Sequence, residues 1–142
     1  MTFQNPNNHE IAALLTSART IAVVGLSDNP ARPSCDVTAA LLGFGYRIIP
    51  VNPALRTWQG IPAVPNLAAA VASLAPDERI DIVDVFRQPQ HIATIVDDCL
   101  HLKLPALWLQ LDVVDDAAAA RAQAGGMIVV MDKCIKIERM RI

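Results

Sequence analysis

Five short apolar runs punctuate the chain, each joined to the next through residues spaced as in a helix. The runs are Thr20 to Gly25, Tyr46 to Val51, Ile80 to Phe86, Ala106 to Gln110 and Met127 to Met131. A strand that is apolar on both sides must be covered on both faces, as in a parallel sheet sandwiched by helices. The intervening segments supply the cover. Val37, Ala40, Leu41 and Phe44 share one face of Ser34 to Phe44, and Ile92, Ile95, Val96 and Cys99 share one face of Pro89 to Leu102. Asn66 to Leu74 and Val114 to Ala124 predict two further helices, and Asn7 with Glu10 forms a capping box for a helix from Asn7 to Ala18. The fold expected is α/β: a Rossmann-like, doubly wound, mainly parallel five-stranded sheet of order 3-2-1-4-5 with helices on both faces. That order puts the switch point between the first and fourth strands. The tail, Lys133 to Ile142, alternates charged and apolar residues and reads as an edge strand or a packed irregular segment.

With 142 residues the chain fits one domain, 1–142. It is 53% hydrophobic but only 4% aromatic, so the core is expected to consist of Ala, Val, Ile and Leu. A net charge of −2 without a basic block argues against a nucleic-acid partner. No apolar run approaches the roughly 20 residues that span a bilayer. Met1 to Asn8 is polar and carries no signal-peptide core. Cys35, Cys99 and Cys134 form no CxxC pair, and His9, His91 and His101 are scattered, so neither a disulfide framework nor a zinc site is expected. Together these features point to a cytoplasmic protein.

In such folds ligands bind beyond the carboxyl ends of the strands. The segments there are Gly25 to Ser34, Asn52-Pro53, Phe86-Arg87, Gln110-Leu111 and Asp132 to Cys134. In the first, Gly25 permits an unusual φ, Ser27 offers a hydroxyl and an N–H, and Arg32 brings a forked cation suited to phosphate. Ser34 opens the next helix, where free N–H groups attract an anion. The plainer alternative is an ordinary turn with Ser34 as the helix cap. The loop departs from the dinucleotide pattern G-x-G-x-x-G, matching only at Gly25, and the second strand ends in Asn52-Pro53 where a ribose-binding acid is expected. Both departures count against NAD.

The stretches IAVVGLSDNPARPS, GYRIIPVNP, VDVFR, WLQL and VVMDKCIKIE follow one another from Ile21 to Glu138. In content and order they resemble the single-domain CoA-binding proteins, a family related to the CoA-binding domain of the succinyl-CoA synthetase alpha subunit. The resemblance implies a Rossmann-like fold and coenzyme A as the cofactor. It implies that Gly25, Ser27, Arg32 and Ser34 form the phosphate loop, with Pro33 among the cofactor-binding positions, and that Asn52 and Pro53 lie along the adenosine. It places Phe86 and Arg87 next to the nucleotide, and Gln110 near the pantetheine path. Cys35 stands where the family often has an aromatic residue, and Asp112 where it often has glycine.

Other candidates remain open at this point. Arg47 or Arg56 could meet the 3′-phosphate of coenzyme A. Cys134 should lie near the site rim, either as a small buried side chain or as a thiol able to pair with that of the cofactor. Trp108 reads as core, whereas Trp58 is placed in a loop that could shield a ligand. No nucleophile–base arrangement stands out, so a CoA or acyl-CoA binding module without its own chemistry (a carrier, a sensor or a CoA-supplying module) is expected. The rivals are a small NAD(P)-binding oxidoreductase and a regulatory interaction protein whose cofactor site has decayed.

Overall fold

The structure, a computed structural model, describes residues 2–142. In chain order it contains α1 (Asn8–Ser17), β1 (Thr20–Val24), α2 (Pro33–Gly43), β2 (Arg47–Val51), the two-residue strands β3 (Thr57–Trp58) and β4 (Ile61–Pro62), and α3 (Leu67–Ala72). There follow β5 (Ile82–Val85), a 3-10 turn (Pro89–His91) leading into α4 (Ile92–His101), β6 (Ala106–Leu109), α5 (Asp116–Ala124), β7 (Ile128–Met131) and α6 (Ile135–Met140). The five main strands form one parallel sheet in the order β2-β1-β5-β6-β7.

The Rossmann-like α/β class is therefore present, but the expected order 3-2-1-4-5 needs correcting. The third apolar run of the sequence, now β5, lies on the other side of β1 from β2. The position outside β2 is taken by one residue: Val64 donates its N–H to Pro50 O and accepts from Asn52 N–H, both at 2.9 Å, in parallel pairing with Val51. This one-residue bridge precedes Pro65, which has no N–H for a ladder, so no strand can be read there. Counting it restores the Rossmann order and moves the switch point to between β1 and β5.

Connection geometry explains how the faces are covered. The step from β1 to β2 runs toward one edge of the sheet, and every later step runs toward the other. Crossovers of one hand then put α2 on one face and α3, α4 and α5 on the opposite face. The core divides accordingly. Ala22, Val24, Val83 and Val85 pack with the helix side chains Leu67, Ile95 and Ala119. Ile21, Val23, Ile82 and Trp108 pack with Leu15, Leu41 and Ile135 on the other side. α2 alone cannot cover that second face, so α1 and the chain's tail complete it. This is why Lys133 to Ile142 is neither an edge strand nor irregular but contains α6. The period-two alternation was misleading: Ile135 and Glu138, three apart, are buried, while Ile137 is exposed. The capping box at Asn7 and Glu10 is formed. No described helix is long and apolar enough to cross a membrane.

Candidate functional site

The carboxyl ends of β1, β5 and β6 open into a cleft of about 610 Å3. Its floor begins at Gly25, whose φ of +83° is a left-handed conformation that a side chain disfavours. A Cβ there would sit 2.8 Å from Arg87 Cδ and 3.2 Å from Phe86 O. Glycine thus lets the turn after β1 lie flat against the chain leaving β5.

The loop beyond is braced by its own polar groups. Ser27 N–H donates to Ser34 Oγ, Asn29 N–H to Ser27 Oγ and Ala31 N–H to Asn29 Oδ1, each at 3.0 Å. The Ser27 N–H is therefore already used inside the loop, contrary to its expected availability for a ligand. Both serine hydroxyls act as acceptors in the brace, so each keeps a proton to donate. Ser34 is not the cap of α2: Arg32 is the N-cap and Pro33 the first helical residue, where its missing N–H costs nothing. Ser34 N–H has no acceptor among the described residues. Arg32 is exposed and its guanidinium has no ion-pair partner among them either. A hydroxyl pair, an idle amide and an idle guanidinium thus gather at the positive end of an eleven-residue helix.

From that polar end the cleft continues along an apolar wall of Val37, Phe86, Leu111 and Val113 to Gln110 and Cys134. Gln110 is 95% buried, being 5% exposed, and its Oε1 accepts from Ile135 N–H at 3.2 Å. That bond fixes the orientation of the amide, and Nε2 has no partner among the described residues. Asp112, also on the rim, has a φ of +66° and donates its N–H to Asp132 Oδ1 at 2.8 Å. It occupies a left-handed position that suits glycine, which Asp tolerates at some cost.

The structure thus brings Gly25, Ser27, Arg32, Pro33, Ser34, Phe86 and Gln110 to one cleft. Asn52, Pro53 and Arg87 are not on its wall. Asn52 clasps the two loops, donating from Nδ2 to Leu26 O at 3.0 Å and accepting Ala54 N–H at 2.9 Å. Pro53 is exposed beside it. Arg87 lays its aliphatic stem over Gly25 and donates from Nη2 to His91 Nε2 at 3.0 Å. Arg47 starts β2, at the opposite end of the sheet, in an ion pair with Glu78. Trp58 does not shield the cleft but is buried in the core, as is Trp108, whose indole donates to Lys133 O at 2.8 Å. Burial pushes the Cys99 thiol up to about 12, that of an inert core residue. Cys134 is half-buried on the cleft wall, more open than a packed core side chain. Val37, Leu111, Asp112 and Val113 were not assigned from sequence. Leu111 lies in the segment after β6, where a ligand-facing loop is expected, and the chain bends at Asp112 so that Val113 lines the cleft as well.

The residues present fit a ligand with an anionic centre and a slender, partly apolar arm: free cationic and hydroxyl donors at one end, an apolar wall and one free amide donor at the other. A cleft of this volume is of ordinary size for a cofactor site.

The uncharacterized protein YneT of Bacillus subtilis (strain 168) is 39% identical over 134 residues, 94% of this chain and 95% of its own length. The solved structure of cell-free ID.343 from Thermus thermophilus superposes with a TM-score of 0.85 at 34% identity, over 96% of this chain and 98% of that one. A hypothetical protein from Pyrococcus horikoshii OT3 gives 0.84 at 28% identity, over 99% and 98%. Residues 19–140 match the model of the CoA binding domain, and the chain belongs to that family.

Proposed function

We propose that this protein binds coenzyme A, with the diphosphate at the start of α2 and the pantetheine arm along the wall from Phe86 to Gln110. Arg32 supplies the forked cation, the Ser27 and Ser34 hydroxyls and the Ser34 N–H supply further donors, and Gly25 keeps the floor low. The protein acts as a carrier, sensor or CoA-supplying module and not as a catalyst, in a reducing compartment such as the cytoplasm, consistent with its three unpaired thiols. The observation that carries the reading is the uncommitted Arg32 guanidinium beside the idle amide at the positive end of α2. A nicotinamide dinucleotide fits less well: the second strand ends in Asn52, whose amide is committed to Leu26 and Ala54, so no carboxylate awaits a ribose.

Calorimetric titration with coenzyme A, dephospho-CoA, acetyl-CoA and NAD tests this. Coenzyme A is expected to bind at least about tenfold tighter than NAD, and Arg32→Ala to weaken it about 10- to 100-fold, as for a lost charge-assisted bond. NAD binding as tightly as coenzyme A, or an affinity indifferent to Arg32→Ala, would overturn it.

A further inference from the structure

We propose that Cys134 is a thiol–disulfide exchange site for the oxidised, disulfide form of coenzyme A; this rests on the cofactor reading above. Two independent features of the cleft point the same way. Cys134 is the one cysteine on its wall: Cys35 and Cys99 are buried, whereas Cys134 is half-buried and open to the cleft. Beside it, Gln110 is 95% buried, with Oε1 held by Ile135 N–H and Nε2 idle among the described residues. The Gln110 amide therefore offers a free donor at the cleft lining, held in place through its other end, and a pantetheine arm carries amide carbonyls along its length that such a donor can meet.

The backbone that carries the thiol is held on both sides. Lys133 O accepts from the Trp108 indole at 2.8 Å, and Cys134 O accepts from Glu138 N–H at 3.0 Å. Asp132, two residues earlier, turns the chain with a φ of +61° and donates its N–H to Leu109 O at 2.9 Å. A ligand anchored by its diphosphate at Arg32 and lying along Phe86 and Val113 would bring its sulfur end toward this wall.

The step balances without an external oxidant. The Cys134 thiolate attacks one sulfur of the cofactor disulfide, the cofactor S–S bond breaks, and a new S–S bond joins Cys134 to one cofactor unit. The other unit leaves as a thiolate and takes up the proton that Cys134 released. The protein thereby captures one cofactor as a mixed disulfide and frees the second in reduced form.

Intact-protein mass spectrometry of the reduced full chain, mixed with coenzyme A disulfide or with oxidised glutathione, reads the result. A single adduct on Cys134 is expected, forming at least about tenfold faster with coenzyme A disulfide than with oxidised glutathione. Excess reduced coenzyme A slows it, Cys134→Ser abolishes it and Cys35→Ser leaves it in place. An adduct on another cysteine, equal rates with the two disulfides, or no adduct overturns the proposal. Calorimetry of the reduced wild-type chain with coenzyme A separates the two readings. Binding without selective exchange removes only the role of Cys134, whereas absence of binding removes both.

Discussion

Two hollows of similar size open at opposite ends of the sheet, one of about 490 Å3 at the amino ends of β1 and β2, the other of about 610 Å3 at the carboxyl ends of β1, β5 and β6. The first holds more charge, with Arg19, Arg47 and Arg139 on its wall beside Phe44 and Tyr46. Yet two of these cations are already engaged. Arg47 pairs with Glu78, and Arg139 donates from Nε to the Tyr46 hydroxyl at 3.1 Å while its guanidinium lies 4.7 Å from the Phe44 ring centre. The Tyr46 hydroxyl in turn donates to Leu15 O; burial raises its pKa, against the pull of Arg139. Each hollow thus keeps one arginine without a partner among the described residues, Arg19 in the first and Arg32 in the second. The difference lies in what surrounds that cation: in the second hollow it shares a helix start with an idle N–H and two serine hydroxyls, so the arrangement of idle donors separates the two ends better than the number of charges.

The largest effect should come from the floor of the carboxyl-end cleft. Gly25→Ala puts a methyl group into a left-handed position 2.8 Å from Arg87 Cδ, and is expected to cost about 2–4 kcal/mol, read as a lower midpoint in denaturant melts. An unchanged midpoint would mean that this approach does not hold the turn. Next in size is the exchange of roles between the two arginines. Arg32→Ala should weaken coenzyme A by about 2 kcal/mol in affinity while moving stability by less than about 0.5 kcal/mol. Arg139→Ala should lower stability by about 1 kcal/mol and leave the affinity within about twofold. Reversed outcomes would break the comparison.

Between the two ends, on the face covered by α2, lies Asp84. It is fully buried, neither carboxylate oxygen has a partner that meets hydrogen-bond geometry, and burial raises its pKa well above the usual carboxylate range, outweighing the opposite pull of the nearby Val85 N–H. The folded state therefore keeps a proton that the unfolded chain releases near pH ~4. Stability from this group is present below that pH and is lost progressively as pH rises toward the raised folded value. Asp84→Asn should remove that slope and gain about 1–2 kcal/mol at pH 7, with the gain shrinking toward pH 4 in thermal melts. A wild-type slope in the variant would show that another group titrates. The smallest effect is expected at the rim: Asp112→Gly relieves the left-handed backbone and should stabilise by about 0.5–1 kcal/mol, while removing a carboxylate from the mouth should tighten coenzyme A a few-fold. A loss of stability there would mean that the aspartate side chain supports the bend.

Much of the architecture was legible because its signals are local. β1 matches its apolar run to within a residue, and the capping box at Asn7 needs only a spacing of three. Gly25, Ser27, Arg32 and Ser34 were legible as neighbours because they share one loop after a strand. Asn52 and Arg87 also follow strands, but their side chains turn to Leu26 and His91, off the wall of the cleft. No spacing in the chain records that choice. Nor did it reveal the hairpin of β3 and β4, whose turn puts Gln59 and Gly60 at φ of +48° and +78°.

The sequence by itself determined the five strands of the main sheet, the helices between them and the loop that carries the cation, since periodicity and turn chemistry act over a few neighbouring residues. Only the tertiary structure decided the strand order, the helical form of the tail and which polar groups remain idle. Those depend on a one-residue bridge at Val64, on a bare sheet face that had to be covered, and on partners that meet only once distant segments are packed together.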